Sequence, residues 1–261
     1  MKKLLKHAIC INFLLLLTLN SVIGQSLEQI LEKHFEAVGM EYLKEVQTIQ
    51  YNGYYYNRFL EKMGSNIPAG LLKPQFKLTV KKGKAYFLQI SSNSRNLASC
   101  FYNGNYWLNQ NGMITENWIP IKSDRQQIDQ EIDPEGFLHN WKEKGFQLNK
   151  LDDAVINNNH LYKLQLIKSE YDTFYYYINK KTYLISYLSF DEDLCNNGGK
   201  CRNVEFQKYK KVEGISIPFK RIRTEQMLDG TYDKKEIFIR EIKINMDLNE
   251  DMFKIETQNK T

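Results

Sequence analysis

The sequence predicts a mainly β fold of the α+β kind, an antiparallel meander with few helices, and three observations predict it. Apolar and polar residues alternate through much of the chain, as in Phe76-Lys-Leu-Thr-Val80 and Tyr86-Phe-Leu-Gln-Ile90. Tight-turn chemistry recurs between such runs: Lys82-Gly83, Asn103-Gly104, Asn111-Gly112, Asn179-Lys180, Glu213-Gly214 and Asp229-Gly230. Helical periodicity is confined to two places. Alternation of period two is the mark of a half-buried strand, and Asn-Gly or Asp-Gly between two such runs marks a hairpin.

The first residues read as an export signal. Lys2, Lys3 and Lys6 precede an apolar core, Ile11 to Leu19, and Val22-Ile23-Gly24 supplies small residues before a cut ahead of Gln25. The apolar run is about half of the roughly 20 residues that a spanning helix needs, which favours a cleaved signal over an anchor. Cys10 follows Ile9 and not a small residue, so it does not read as a lipidation site. The expected organisation is a signal peptide, 1–24, and one domain, 25–261.

A helix is expected next. Leu27, Ile30, Leu31, Phe35 and Val38 share one face, Ser26 caps the start and Gly39 the end. Strands are then expected at Thr48–Tyr56, Phe76–Val80, Tyr86–Ile90, Ser99–Tyr102 and Tyr106–Asn109. Lys122–Asp133 reads as a polar loop. A second helix is expected from Asp133-Pro134 to Gly145, with Phe137, Leu138, Trp141 and Phe146 as its apolar stripe. The remaining strands are Leu161–Lys168, Thr173–Asn179, Thr182–Phe190, Arg202–Lys210, Ile215–Gln226 and Lys235–Asn245.

The chain carries 36 basic and 31 acidic residues, and three of the lysines fall in the signal. The bases alternate with acids and do not form the stripe that nucleic acid requires, so no nucleic-acid partner is expected. In an oxidising compartment Cys195 and Cys201, six positions apart at a hairpin tip, read as a disulfide, and Cys100 is left as a free thiol. His34, His139 and His160 are scattered, which argues against zinc. No Gly-x-Ser-x-Gly elbow, His-Glu-x-x-His helix or phosphate-cradling glycine loop is present, so neither cofactor nor metal is expected. Cys100 with His139 or His160, and the acidic Asp191-Glu192-Asp193 tip, are the two places where catalysis would have to reside.

Several stretches, taken in order, resemble the outer-membrane lipoprotein-sorting protein family, the relatives of the periplasmic carrier LolA. They are Leu27–Val46, Phe101–Trp107 (FYNGNYW), Asp133–Leu148, Phe174–Tyr187 and Phe206–Phe219. The resemblance implies a curved, incomplete antiparallel β-barrel with helices across its open side, located in the periplasm of a Gram-negative bacterium. It also implies a non-catalytic apolar groove for lipids or lipoprotein acyl chains, loaded or emptied by envelope proteins. A monomer is expected. The alternatives are an envelope interaction module whose groove is filled by its own side chains, and a hydrolase. On strand alternation, the candidate groove lining is Phe76, Leu78, Val80, Tyr86, Leu88, Ile90, Leu164, Leu166, Phe174, Tyr176 and Ile178.

Overall fold

The computed structural model describes residues 25–57, 73–92, 96–190, 202–226 and 231–255. The signal-peptide reading, the Cys195–Cys201 pair and the Asp191–Asp193 tip lie outside these residues.

Helix α1, Leu27–Val38, opens the described chain. The Ser26 hydroxyl accepts from the Gln29 N–H, and the Gln29 side chain accepts from the Ser26 N–H. This reciprocal cap satisfies two amides that the helix leaves orphaned. Gly39 ends the helix at φ +77°, and a Cβ there would stand 2.3 Å from the Gly214 carbonyl oxygen, so only glycine fits. A single turn, α2 (Met40–Leu43), follows.

Among the described residues fourteen strands form one sheet: β1 Thr48–Asn57, β2 Gln75–Lys81, β3 Ala85–Ser91, β4 Asn96–Tyr102, β5 Asn105–Gln110, β6 Met113–Glu116, β7 Gln147–Lys150, β8 Ala154–Ile156, β9 Asn159–Ser169, β10 Asp172–Asn179, β11 Ile185–Phe190, β12 Arg202–Val212, β13 Ile215–Gln226 and β14 Tyr232–Ile244. Their order is β6-β5-β4-β3-β2-β1-β14-β13-β12-β11-β10-β9-β7, with β8 paired to β9, and every pairing is antiparallel. Edge strands β6 and β7 do not pair with each other, so the barrel stays open, as the resemblance implies.

The chain leaves one edge at β6 and returns at the other at β7, so residues 117–146 must cross a face of the sheet. This crossing corrects two expectations. The helix within it, α3, spans Lys122–Glu131, where a polar loop was expected. Residues 133–146, where a helix was expected, form a succession of turns. Positive φ at Gly136, Asn140 and Gly145 interrupts any helical run there, and Pro134 disfavours helix at Asp133. Helix α3 lacks a side-chain N-cap and a broad apolar stripe, so the local sequence does not announce it. Gln126, Asp129 and Glu131 find their partners on the sheet instead.

Helix α3 also measures the curvature. The Ile132 carbonyl after its last turn accepts from the Gly83 N–H in the β2–β3 turn, and Asp129 pairs with Lys168 on β9 at 2.6 Å. Strands β2 and β9 are seven neighbours apart, about 33 Å if the sheet were flat, whereas a ten-residue helix is about 15 Å long. The sheet must therefore curl strongly around α3, and the helix-covered face is the concave one.

The concave face carries two cores. One packs Ile30 and Leu31 of α1, Phe137 and Leu138 of the crossing, and β7 and β9–β11 side chains together. The other joins β1–β3, β13 and β14 around Ile128 of α3. The convex face is covered by β8 over Leu161, Tyr177 and Tyr187, and by a 3₁₀ turn, Glu250–Phe253, packed on Ala85, Phe87 and Cys100. Glu250 anchors that turn through Lys81, through Lys84 (2.9 Å) and through the Tyr102 hydroxyl (2.6 Å).

The hydrogen bonds from Lys81, Lys84 and Tyr102 hold the Glu250 carboxyl down at about 2, against an ordinary 4.5. A depressed carboxylate stabilises the fold above its ordinary value and loses that contribution as pH falls. The clasp should therefore release between about pH 4.5 and 2. The indole N–H of Trp107, which donates to the Phe253 carbonyl at 3.0 Å, reports this by NMR. Glu250→Gln should abolish the transition, and a Trp107 signal that already moves near pH 4.5 would contradict the clasp.

Candidate functional site

Register on the concave face decides which predicted residues meet a cavity. Cross-strand rows run Tyr51–Leu78–Leu88–Ser99–Leu108 and Gly53–Phe76–Ile90–Leu97. Side chains of such rows share one face because strand residues alternate. Between this wall and α3 lies a cavity of about 900 Å³. Its apolar lining is Tyr55, Pro74, Tyr86, Leu88, Ile90, Leu97, Leu108, Trp118 and Ile128, and its polar lining includes Asp124, Gln127, Arg223 and Lys235.

All eleven residues chosen from alternation lie on the concave face, but they separate into three groups. Tyr86, Leu88 and Ile90 line the cavity. Phe76, Leu78 and Val80 are buried in the adjoining core. Leu164, Leu166, Phe174, Tyr176 and Ile178 are packed under α1 and Phe137, and four of these five are fully buried at 0 % exposure. The Phe174 ring meets those of Phe137 and Phe190 edge-on at 5.2 and 5.7 Å. That half of the concavity is filled, so those five side chains contribute core and not cavity wall.

Sequence reasoning missed the polar lining. On β13 the alternation Ile215, Ile217, Phe219 continues onto the same face as Arg221 and Arg223, a signal that was legible. Arg221 reaches Glu131 of α3 at 2.6 Å and lies over the Tyr51 ring, with its guanidinium carbon 5.4 Å from the ring centre. Gln126 of α3, 2 % exposed, donates to Asp172 and accepts from Arg202 at 2.5 Å. These bonds, together with Asp129–Lys168, hold α3 across the sheet, and Ile128 at 3 % exposure is its deepest apolar contact. Burial pushes the Tyr55 hydroxyl up to about 12 and raises that of Tyr86 as well, so both stay protonated donors.

The geometry does not bring Cys100 to either histidine. Cys100 lies on the convex face against Phe253, where burial pushes its thiol up to about 12 and its Sγ donates to a carbonyl. His139 is on the opposite side, 5.6 Å from the Phe35 ring and 2.6 Å from Glu135, and His160 is exposed on β9. Burial lowers His34 to about 4, and its ring sits 2.8 Å from the Tyr183 carbonyl oxygen. Among the described residues no group of three or more His, Cys, Asp or Glu could hold a metal ion, and no helix is long and apolar enough to cross a membrane.

No protein-family model and no curated protein matches the sequence. Solved structures do. A LolA superfamily protein from Nitrosomonas europaea superposes with a TM-score of 0.57 at 14% identity, over 89% of this chain and 99% of its own. A domain described as an outer membrane lipoprotein-sorting protein, from Vibrio parahaemolyticus, gives 0.55 at 12% identity, over 85% and 95%. A DUF1329 family protein from Desulfovibrio piger gives 0.52 at 13% identity, over 86% and 97%. At such identities the likeness is one of fold: an open, strongly curved antiparallel sheet with its concave face crossed by helix. The chain has the LolA-like fold.

Proposed function

We propose that this protein is an exported, non-catalytic carrier or binding protein for lipids or lipoprotein acyl chains, acting in the periplasm of a Gram-negative bacterium. The observation that carries the reading is the cavity of about 900 Å³ between α3 and strands β1–β5. A single acyl chain needs only part of such a volume. Sites of roughly 300–1,000 Å³ lined mainly by apolar and aromatic groups are the usual seats of small amphiphiles. Burying a chain there contributes about 25 cal/mol per Å² of apolar surface removed from water. Tyr86, Leu88 and Ile90 of β3, with Leu97, Leu108, Trp118 and Ile128, form the proposed apolar seat. The fold shared with a lipoprotein-sorting domain supports the reading.

The rival, an interaction module with a self-filled groove, describes the β9–β11 half of the concavity but not the β1–β5 half. Mass spectrometry of the solvent-extracted protein, purified from its native envelope, tests the proposal. Stoichiometric co-purifying lipid is the expected result. A chain that emerges lipid-free, and that after denaturant washing and refolding binds no acyl probe, would leave the filled-groove module as the better description.

A further inference from the structure

The cavity is not lined by apolar groups alone. Tyr55, Tyr86 and Arg223 all line it, and Asp124 and Lys235 stand on the same lining. Tyr86 is 3 % exposed, yet among the described residues its hydroxyl takes no hydrogen bond, and neither does that of Tyr55. The Arg223 Nε is buried without a partner. Buried polar groups are almost always satisfied, and unsatisfied ones in a native fold call for a ligand, ion or water. Register adds a second anomaly. Arg223 and Lys235 stand directly opposite each other on β13 and β14, and like charges so placed repel unless an anion lies nearby. Asp233 engages Lys235 at 3.0 Å at the rim, and Asp124 faces Arg223 across the cavity, so part of the positive charge is already balanced. What stays open is the buried Arg223 Nε–H, beside two phenolic O–H groups on the same lining.

From this convergence we propose that the cavity seats an amphiphile with an anionic oxyacid head, the head on Arg223, Tyr55 and Tyr86 and the chain along Leu88, Ile90 and Leu108. The inference rests on the lipid-binding reading and names the class of lipid. A guanidinium fork matches two oxygens of a carboxylate or phosphate in one plane, and phenols donate without adding charge. A neutral head would leave these donors partly unmet. A cationic head would meet repulsion from Arg223 and Lys235, with Asp124 as its lone acid on the lining. A fatty-acid carboxylate and a phospholipid phosphate offer the same oxygens, and chemistry alone does not divide them.

The test uses the full mature chain after delipidation, with the Trp118 indole in the cavity lining as fluorescent reporter. Dodecanol, dodecanoate, dodecyl phosphate and dodecyltrimethylammonium share one chain length, and inorganic phosphate serves as the head without a chain. Dodecanoate and dodecyl phosphate should bind roughly tenfold or more tightly than dodecanol, with the ammonium weakest. A preference between the two anions then separates a carboxylate from a phosphate head, and either order supports the seat. Arg223→Gln should erase the anion preference, read as the ratio of anion to dodecanol affinity, and Tyr86→Phe should reduce that ratio by roughly threefold. Dodecanol binding as tightly as both anions in the unmutated protein would overturn the head-group seat and leave lipid carriage standing. Inorganic phosphate binding as tightly as dodecyl phosphate would overturn it in favour of a free oxyanion. Binding of no chain at all would sink the carrier reading together with it. The comparison of heads in the unmutated protein decides the matter even if a variant fails to fold.

Discussion

Leu166→Asp should unfold the domain, whereas Leu88→Asp should leave it folded and unable to hold an acyl chain. Both leucines face the concave side of the same sheet. Leu166 is 0 % exposed among Ile30, Phe137 and Phe174, so an aspartate there loses its packing and must stay neutral or unpaired. The expected cost is of the order of 5 kcal/mol, comparable to the whole stability of many domains. Leu88 is half-buried and borders the cavity, where a carboxylate stays partly hydrated. Its cost should be about 1–2 kcal/mol, with acyl-probe affinity falling roughly tenfold or more. Urea titration and a fluorescent fatty-acid titration, run in parallel, give the two readouts. Equal destabilisation by both substitutions would mean that the cavity is core. A folded Leu88→Asp protein with unchanged affinity would place the chain elsewhere.

Removing Glu131 should cost about 3 kcal/mol, far more than an exposed ion pair would. Its partner Arg221 keeps only 17% of its side chain exposed beneath α3, and Glu131 keeps 15%. Glu131→Ala would strand the guanidinium against Tyr51, with its Nε already unpartnered. The double variant Glu131→Ala/Arg221→Leu should recover most of the loss, because a buried pair replaced by apolar groups is often close to neutral. Urea midpoints of the four proteins complete the cycle. A single-variant loss below about 1 kcal/mol would place the pair among solvent-screened surface contacts.

Most of the sheet was legible because alternation and turn chemistry act locally. Phe76–Val80 and Tyr86–Ile90 lie within β2 and β3, and the Ser26 and Gly39 caps stand where the periodicity of α1 put them. The crossing was not legible, for a reason of the same kind. Helix α3 is specified by Lys168, Arg202 and Arg221, distant in sequence, and the stripe Phe137, Leu138, Trp141 and Phe146 is delivered by turns. Alternation also identified the concave face without distinguishing its two halves. Leu164 and Leu88 obey the same pattern, and only the route of the crossing fills one half and leaves the other hollow. Arg223 escaped notice because a charge on an apolar face reads as a break in the pattern, although here the pattern continues through it.

The unequal filling of the concavity divides labour within one sheet. Cohesion resides in β9–β11 under α1, where methylenes and rings leave no room. Leu88, Leu97 and Leu108 on the wall made by β3–β5 border open volume, so exchanging one apolar residue for another there forfeits fewer contacts than on the packed side. A scaffold built this way can alter what its hollow side accommodates by drift while the packed side keeps it folded.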